Sequence, residues 1–96
     1  MHEYYVYMMT SDYYGTLYIG VSNNLLRRVQ EHKEGKVKGF TQKHKIHKLV
    51  WYQSCNDIHE AIEHEKRMKK RKRQRKINTI EEINPTRDDL SIGLSP

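Results

Sequence analysis

Two short β-rich runs, YYVYMM (residues 4–9) and TLYIGV (16–21), are separated by a single turn's length and lead straight into a helical pattern. That succession constrains the chain more than any other feature. In the first run Tyr5, Tyr7 and Met9 alternate with Val6 and Met8. Both sets are largely apolar, as in a strand buried on two faces. The intervening SDYYG offers Asp12 and Gly15 as turn residues, so the two runs are predicted to form a hairpin. A loop centred near Asp12 sets Tyr7 and Tyr18 in mid-strand, on adjacent strands and facing one side. Ser22, Asn23 or Asn24 then caps a helix over about Leu25 to Lys33.

Beyond a loop bracketed by Gly35 and Gly39, KLVWYQS (48–54) reads as a third strand. Asn56 or Asp57 caps a second helix from near Ile58, with Ile58, Ala61, Ile62 and Met68 at helical spacing. A third helical pattern carries Ile77, Ile80 and Ile83 and stops before Pro85. The order β-β-α-β-α-α implies an α/β chain of the α+β kind: a three-stranded, mainly antiparallel sheet flanked by helices. At 96 residues there is room for one domain, placed at 1–90, with 91–96 as a fraying tail.

Composition narrows the function. Mean hydropathy is −0.99, so the core is modest and the seven tyrosines supply much of it. No window is apolar enough to span a membrane, and MHEYYVYMMTSD lacks the basic-then-apolar order of a secretory leader. The single Cys55 has no intrachain partner and reads as a reduced, cytoplasmic thiol. The net charge of +6 is concentrated. KRMKKRKRQRK (66–76) holds nine Lys and Arg and no acid, and the rest of the chain nets −3. Such a block attracts phosphate backbones, a reading we rank above a merely solvated helix face.

Polar residues interrupt the apolar stripes at three places. Arg28 follows Leu25 by three, with His32 one turn later. Glu65 lies on the stripe defined by Ile58, Ile62 and Met68, where a carboxylate needs a cation or a metal. Tyr7 and Tyr18 form the third. Singly, each has an ordinary structural explanation. Together, two phenols, a guanidinium, an imidazole and a carboxylate suit phosphodiester hydrolysis.

These residues resemble the GIY-YIG nuclease family. YVY, Tyr5 to Tyr7, stands for the first motif, with Tyr5 at the name-giving glycine's position, and YIG, Tyr18 to Gly20, is intact. The eleven-residue spacing of the motif tyrosines, Arg28 eight after Gly20, and His32 four beyond it follow the family pattern. Glu65, in AIEHEKRMK, stands where the metal-binding glutamate would be. The resemblance runs from about Tyr4 to Leu90. It is nearest the small stand-alone bacterial branch, whose FT.K and NP motifs correspond to Phe40–Lys43 and Asn84-Pro85.

The resemblance implies a role for each residue. Tyr7 is the general base or its relay, helped by Tyr18. Arg28 holds the scissile phosphate, and His32 is a hydrogen-bond partner or alternative base. Glu65 ligates a single Mg²⁺ or Mn²⁺. Thr41, Lys43 and either Asn84 or Asn78 support the site. Apart from the resemblance, the charge of the 66–76 block assigns nucleic-acid contact to Lys66, Lys69, Lys70, Arg71, Lys72, Arg73, Arg75 and Lys76. Arg71, Arg75 and Arg87 stand where branch members usually carry tryptophan, and His44 where tyrosine is common. These departures point to stronger phosphate binding at the expense of base stacking.

The expected function is a metal-dependent endonuclease hydrolysing DNA phosphodiesters with low sequence specificity, structured or damaged DNA being candidate substrates and RNA not excluded. No small-molecule cofactor and no membrane partner are expected, and the chain acts as a monomer or transient dimer. The alternatives are a non-catalytic nucleic-acid-binding module on the same fold and an accessory protein acting through a protein partner. His44-x-x-His47 lacks companion cysteines at zinc spacing and is discounted as a metal pair. KKRKRQRK also resembles a nuclear-import signal, but a phosphate-binding face fits its helical context better.

Overall fold

A computed structural model describes residues 3–11, 15–37, 39 and 45–94. The expected turn residue Asp12, the Phe40–Lys43 motif with Thr41 and Lys43, and His44 lie outside the described residues. Strands β1 (Tyr4–Thr10), β2 (Leu17–Ser22) and β3 (Lys48–Cys55) form one sheet in the order β2-β1-β3, antiparallel throughout. Helices α1 (Leu25–Lys33), α2 (Ile58–Lys70) and α3 (Arg73–Ile83) complete the predicted order. No described helix is long and apolar enough to cross a membrane.

The middle strand carries the core, because its alternation is apolar on both sides. Val6 and Met8 pack with Ile19, Trp51, Ala61, Met68 and Ile80 on the face covered by α2 and α3. Tyr7 and Met9 pack with Leu25, Val29, Ile46 and Leu49 on the α1 face. A bulge in β3 lets Met8 pair with Trp51 and Met9 with Leu49. The skipped Val50 joins Trp51 in the first cluster, so the extra residue reverses the strand's parity: Leu49 faces α1, whereas Trp51 and Cys55 face α2 and α3.

Local chemistry sets the helix ends. Of the three candidate caps for α1, Asn24 does the work: its Oδ1 accepts from Arg27 N at 3.1 Å. Ser22 Oγ accepts from Asn24 N at 3.0 Å and so shapes the approach. The C-terminus closes on Gly35 at φ +71°. There Gly35 N donates to His32 O and Lys36 N to Glu31 O, a left-handed cap that spares glycine the Cβ penalty. Asp57 caps α2 through His59 N.

The basic block does bend. Arg71 and Lys72 are extended (ψ 147° and 155°) and separate α2 from α3. Arg67, Lys69 and Lys70 thereby fall in the last turn of α2, where the helix dipole favours cations.

Three expectations change. Ile62 and Ile83, read as core, are 37% and 61% exposed. The hairpin register is Tyr7↔Gly20 and Met9↔Tyr18, so the tyrosines sit diagonally and not directly opposite one another. The shift keeps them on one face because strand parity is preserved. Residues 91–94, expected to fray, belong to a 3₁₀ turn (Leu90–Gly93) and its cap, with Leu90 and Leu94 against the α1-side cluster and Ser91 buried.

This segment is tied down by two side chains. Asn84 Nδ2 donates to Val50 O (3.0 Å) and Asp88 O (2.9 Å), and its Oδ1 accepts from Asp88 N (3.0 Å). Asp89 accepts from Leu49 N, from Ser91 and, at 2.6 Å, from Lys33 Nζ. Burial pushes the Asp89 carboxyl up, but Lys33 and these hydrogen bonds outweigh it and hold the group below its ordinary range. Asn84→Ala would leave buried backbone groups unsatisfied and should cost about 2–3 kcal/mol. A shift of the urea midpoint measures it; an unchanged midpoint would refute this anchoring role.

Candidate active site

Register and helix phase bring four of the predicted residues together. Tyr7 pairs opposite Gly20, and its ring lies across that glycine. A Cβ built on Gly20 would stand 2.6 Å from Tyr7 Oη and 3.1 Å from Tyr18 Cε1. The glycine of YIG is therefore a seat for the phenol of the neighbouring strand. Tyr7 Oη is 3.1 Å from His32 Nε2, and the Tyr18 and His32 rings stand 5.0 Å apart. His32 follows Leu25 and Val29 along the buried stripe of α1, which aims the imidazole at the sheet. Arg28 takes the flank of that stripe, with its side chain 37% exposed, and pairs with Glu31 at 3.3 Å.

Burial orders the protons. Tyr7 is almost wholly buried, and burial, reinforced by Tyr18, raises its pKa well above the ordinary phenol value, while Arg28 pulls in the opposite direction. The phenol is thus neutral near pH 7. Burial, then Arg28, lowers His32 to about 4, with Glu31 opposing. The imidazole is therefore neutral near pH 7 and able to exchange a proton with Tyr7. His32 Nδ1 is buried without a hydrogen-bond partner among the described residues. Tyr18 and Arg28 are the more exposed members of the cluster.

The other predicted residues lie elsewhere. Glu65 is on α2, which covers the opposite face of the sheet through Ala61 and Met68. His64 contacts Trp51 of β3, ring to ring at 5.8 Å. At about 100° per residue, Glu65 then projects from the other flank, toward the β2 edge. Its side chain is 20% exposed and its described contact is Lys69 Nζ at 3.5 Å. Among the described residues, no three His, Cys, Asp or Glu cluster as metal ligands. Asn84 is committed to backbone groups, whereas Asn78 lies exposed on α3, accepting from Gln74.

The basic residues surround a cleft between α2 and α3 lined by Arg67, Lys70, Arg71, Lys72, Arg75 and Asn78. Arg73 instead reaches Gly15 O at 2.8 Å. Arg87, grouped in the sequence with phosphate-binding departures, is 1% exposed at φ +53°. Its cation is inside the protein and meets no ligand from solvent. No sequence signal marks that burial.

The GIY-YIG catalytic domain matches residues 3–78. The chain belongs to the GIY-YIG family, a nuclease superfamily. Within it, the chain is similar to small stand-alone bacterial proteins of the UPF0213 group. One from Pediococcus pentosaceus is 32% identical over 65 residues, 68% of each chain. One from Fusobacterium nucleatum subsp. nucleatum is 32% identical over 77 residues, 80% of this chain and 76% of that one. The solution NMR structure of a UPF0213 protein from Bacillus halodurans shares the fold, with a TM-score of 0.57 at 23% identity over 91% and 92% of the two chains.

Two consequences are measurable. Gly20→Ala must displace the Tyr7 ring, costing about 1–3 kcal/mol and breaking the Tyr7–His32 contact. Thermal unfolding and the Tyr7–His32 nuclear Overhauser contact report both, and an unchanged contact would contradict the seating. Below about pH 6.5 the unfolded chain binds a proton at position 32 that the folded chain refuses until about pH 4. His32 stabilisation is therefore complete above that window and lost through it, on the order of 3 kcal/mol. Urea midpoints at pH 7.5 and 4.5 should differ less in His32→Gln than in the wild type; equal differences would rule the linkage out.

Proposed function

We propose that the chain is a divalent-metal-dependent endonuclease hydrolysing DNA phosphodiesters with little sequence preference. The carrying observation is the convergence of Tyr7, Tyr18, Arg28 and His32 at one sheet face. Arg28 offers a permanent charge and planar donors to a phosphate. Tyr18 stands nearer solvent than Tyr7, so it meets the attacking water while Tyr7 serves as relay. Tyr7 relays the water's proton by way of Tyr18, its own shifting toward His32 Nε2 in transit; because folded His32 holds no proton near pH 7, the proton goes on to solvent. Water oxygen bonds to phosphorus as the bridging P–O bond breaks, and the departing oxygen takes a proton from solvent.

GIY-YIG nucleases are generally divalent-metal dependent. Glu65 is the carboxylate that would hold the ion. A single carboxylate fits a hard cation such as Mg²⁺ or Mn²⁺ that keeps most of its waters, and it does not make a protein cage for zinc or calcium. When bound, the ion supplies charge neutralisation at the phosphate. Lys69 leaves Glu65 exposed enough to exchange partners.

The 66–76 block holds the strand. Arg73, Arg75 and Lys76 crowd the first turn of α3, where the helix has no acidic residue and no side-chain cap. Cations there oppose the dipole, and a phosphate relieves both. The reading includes one catalytic domain over 1–90 acting in a reducing cytoplasm, as a monomer or transient dimer.

Glu65→Ala should abolish Mg²⁺- or Mn²⁺-dependent cleavage of supercoiled, branched and single-stranded DNA while binding stays within about twofold. Binding itself should weaken steeply with salt. The position of Glu65 across the sheet favours one second reading, a non-catalytic nucleic-acid binder. Salt-sensitive binding without cleavage in either metal would establish that reading in place of the first.

A further inference from the structure

A separate cavity lies on the sheet face opposite Tyr7. It occupies about 520 Å³ between β3, α2 and α3. Trp51 and Gln53, two apart on β3, form its floor, His64 its α2 wall, and Arg71, Arg75 and Asn78 its remaining sides. Three of these residues, Arg71, Arg75 and Asn78, also line the basic cleft between α2 and α3. The two spaces are therefore neighbours, divided by these shared side chains.

The lining has the chemistry of a phosphate receptor. Arg71 is held in place: its Nη1 donates to Thr79 Oγ1 at 3.2 Å, and that hydroxyl donates to Arg75 O at 3.0 Å. One N–H of its fork is spent on orientation, and a guanidinium has five. Arg75 adds a second cation, and the Gln53 and Asn78 amides add neutral donors. Glu82 is the one carboxylate in the lining. His64 sits against the Trp51 ring and is held below its ordinary pKa by burial, with Arg67 and Arg71 adding to the effect. A cation-rich cavity that keeps its histidine neutral is short of negative charge, and an anion corrects that.

We propose that this cavity is a second phosphate-binding site, taking a terminal phosphate of a nucleic-acid strand laid along the basic cleft. The strand rests on our reading of the 66–76 block, to which Arg71 and Arg75 belong; the phosphate pocket is argued from its own lining. A terminal phosphate fits because a monoester carries up to two negative charges where an internal diester carries one, and the lining sets two guanidinium groups, Arg71 and Arg75, against the single Glu82 carboxylate.

Trp51 is the chain's one tryptophan, so its fluorescence reports from inside the cavity. The experiment titrates the full chain, without metal and at constant ionic strength, with inorganic phosphate, nucleoside monophosphate, and short 5′- or 3′-phosphorylated or hydroxyl-ended oligonucleotides. Gln53→Glu, at an exposed strand position, puts a second carboxylate in the lining without disturbing the core; Asn78→Asp does so from α3. The expected result is saturable quenching or enhancement by phosphate. A phosphorylated end should bind at least tenfold tighter than its hydroxyl counterpart, and both effects should weaken at least tenfold in either variant.

Saturation by phosphate with no preference for a phosphorylated end would overturn the terminal assignment and leave an internal backbone phosphate as the ligand. Saturation by mononucleotide but by no oligonucleotide would overturn the strand and make the ligand a free nucleotide. No saturable response, or one that both variants retain in full, would overturn the pocket. Because metal and cleavage are absent from the measurement, the nuclease reading can fail while the pocket stands, and the reverse.

Discussion

The Tyr7 phenol lying across Gly20 and meeting His32 is the contact on which the rest depends. It joins the central strand, the neighbouring strand and α1 through three residues. Each has a reason that the others supply. Gly20 lacks a Cβ because the phenol occupies that space. His32 continues the apolar stripe of α1 because its ring is wanted inside, not at the edge. The phenol's burial keeps it protonated, and the imidazole's burial keeps it neutral. Packing and proton inventory are one arrangement here, so a change that loosens the core also changes the chemistry.

The sheet divides the labour. Its α1 face carries the phenols, the imidazole and the guanidinium, and its other face carries the helices that expose the cationic block. β1 can serve both because its side chains are apolar in each direction, and the Val50 bulge keeps β3 in step with it. The break at Arg71 and Lys72 has a corresponding logic on the second face. An unbroken helix through nine cations would stack like charges at i,i+4 spacing. Two extended residues part them around the cleft between α2 and α3.

The elements were largely legible, because their signals are local. Alternation, cap residues and glycine positions delimit β1, β2 and α1, and the 3.6-residue period finds α2 and α3. The facing of Tyr7, Tyr18 and His32 was legible too, since strand parity and helix phase survive the diagonal offset of the tyrosines. What escaped was set by distant contacts. Ile62 has the spacing of a core residue, but α2 turns His64 toward Trp51 and leaves Ile62 outside. Asn84 is a motif residue whose amide is spent on β3, a partner 34 positions away in sequence. Arg87 is indistinguishable in the sequence from its solvated neighbours. The pKa of Tyr7 could not be anticipated either, because it is a balance between burial and Arg28 that only packing decides.

The C-terminal segment has a further consequence. β3 is an outer strand, and an outer strand presents unpaired amides and carbonyls to any other chain. Here Asp89 takes the Leu49 N–H and Asn84 the Val50 carbonyl, at the point where the bulge already distorts the ladder. Residues 84–94 thus act as a selvedge, finishing the margin of the sheet at Leu49 and Val50 so that a second molecule finds no continuous template there.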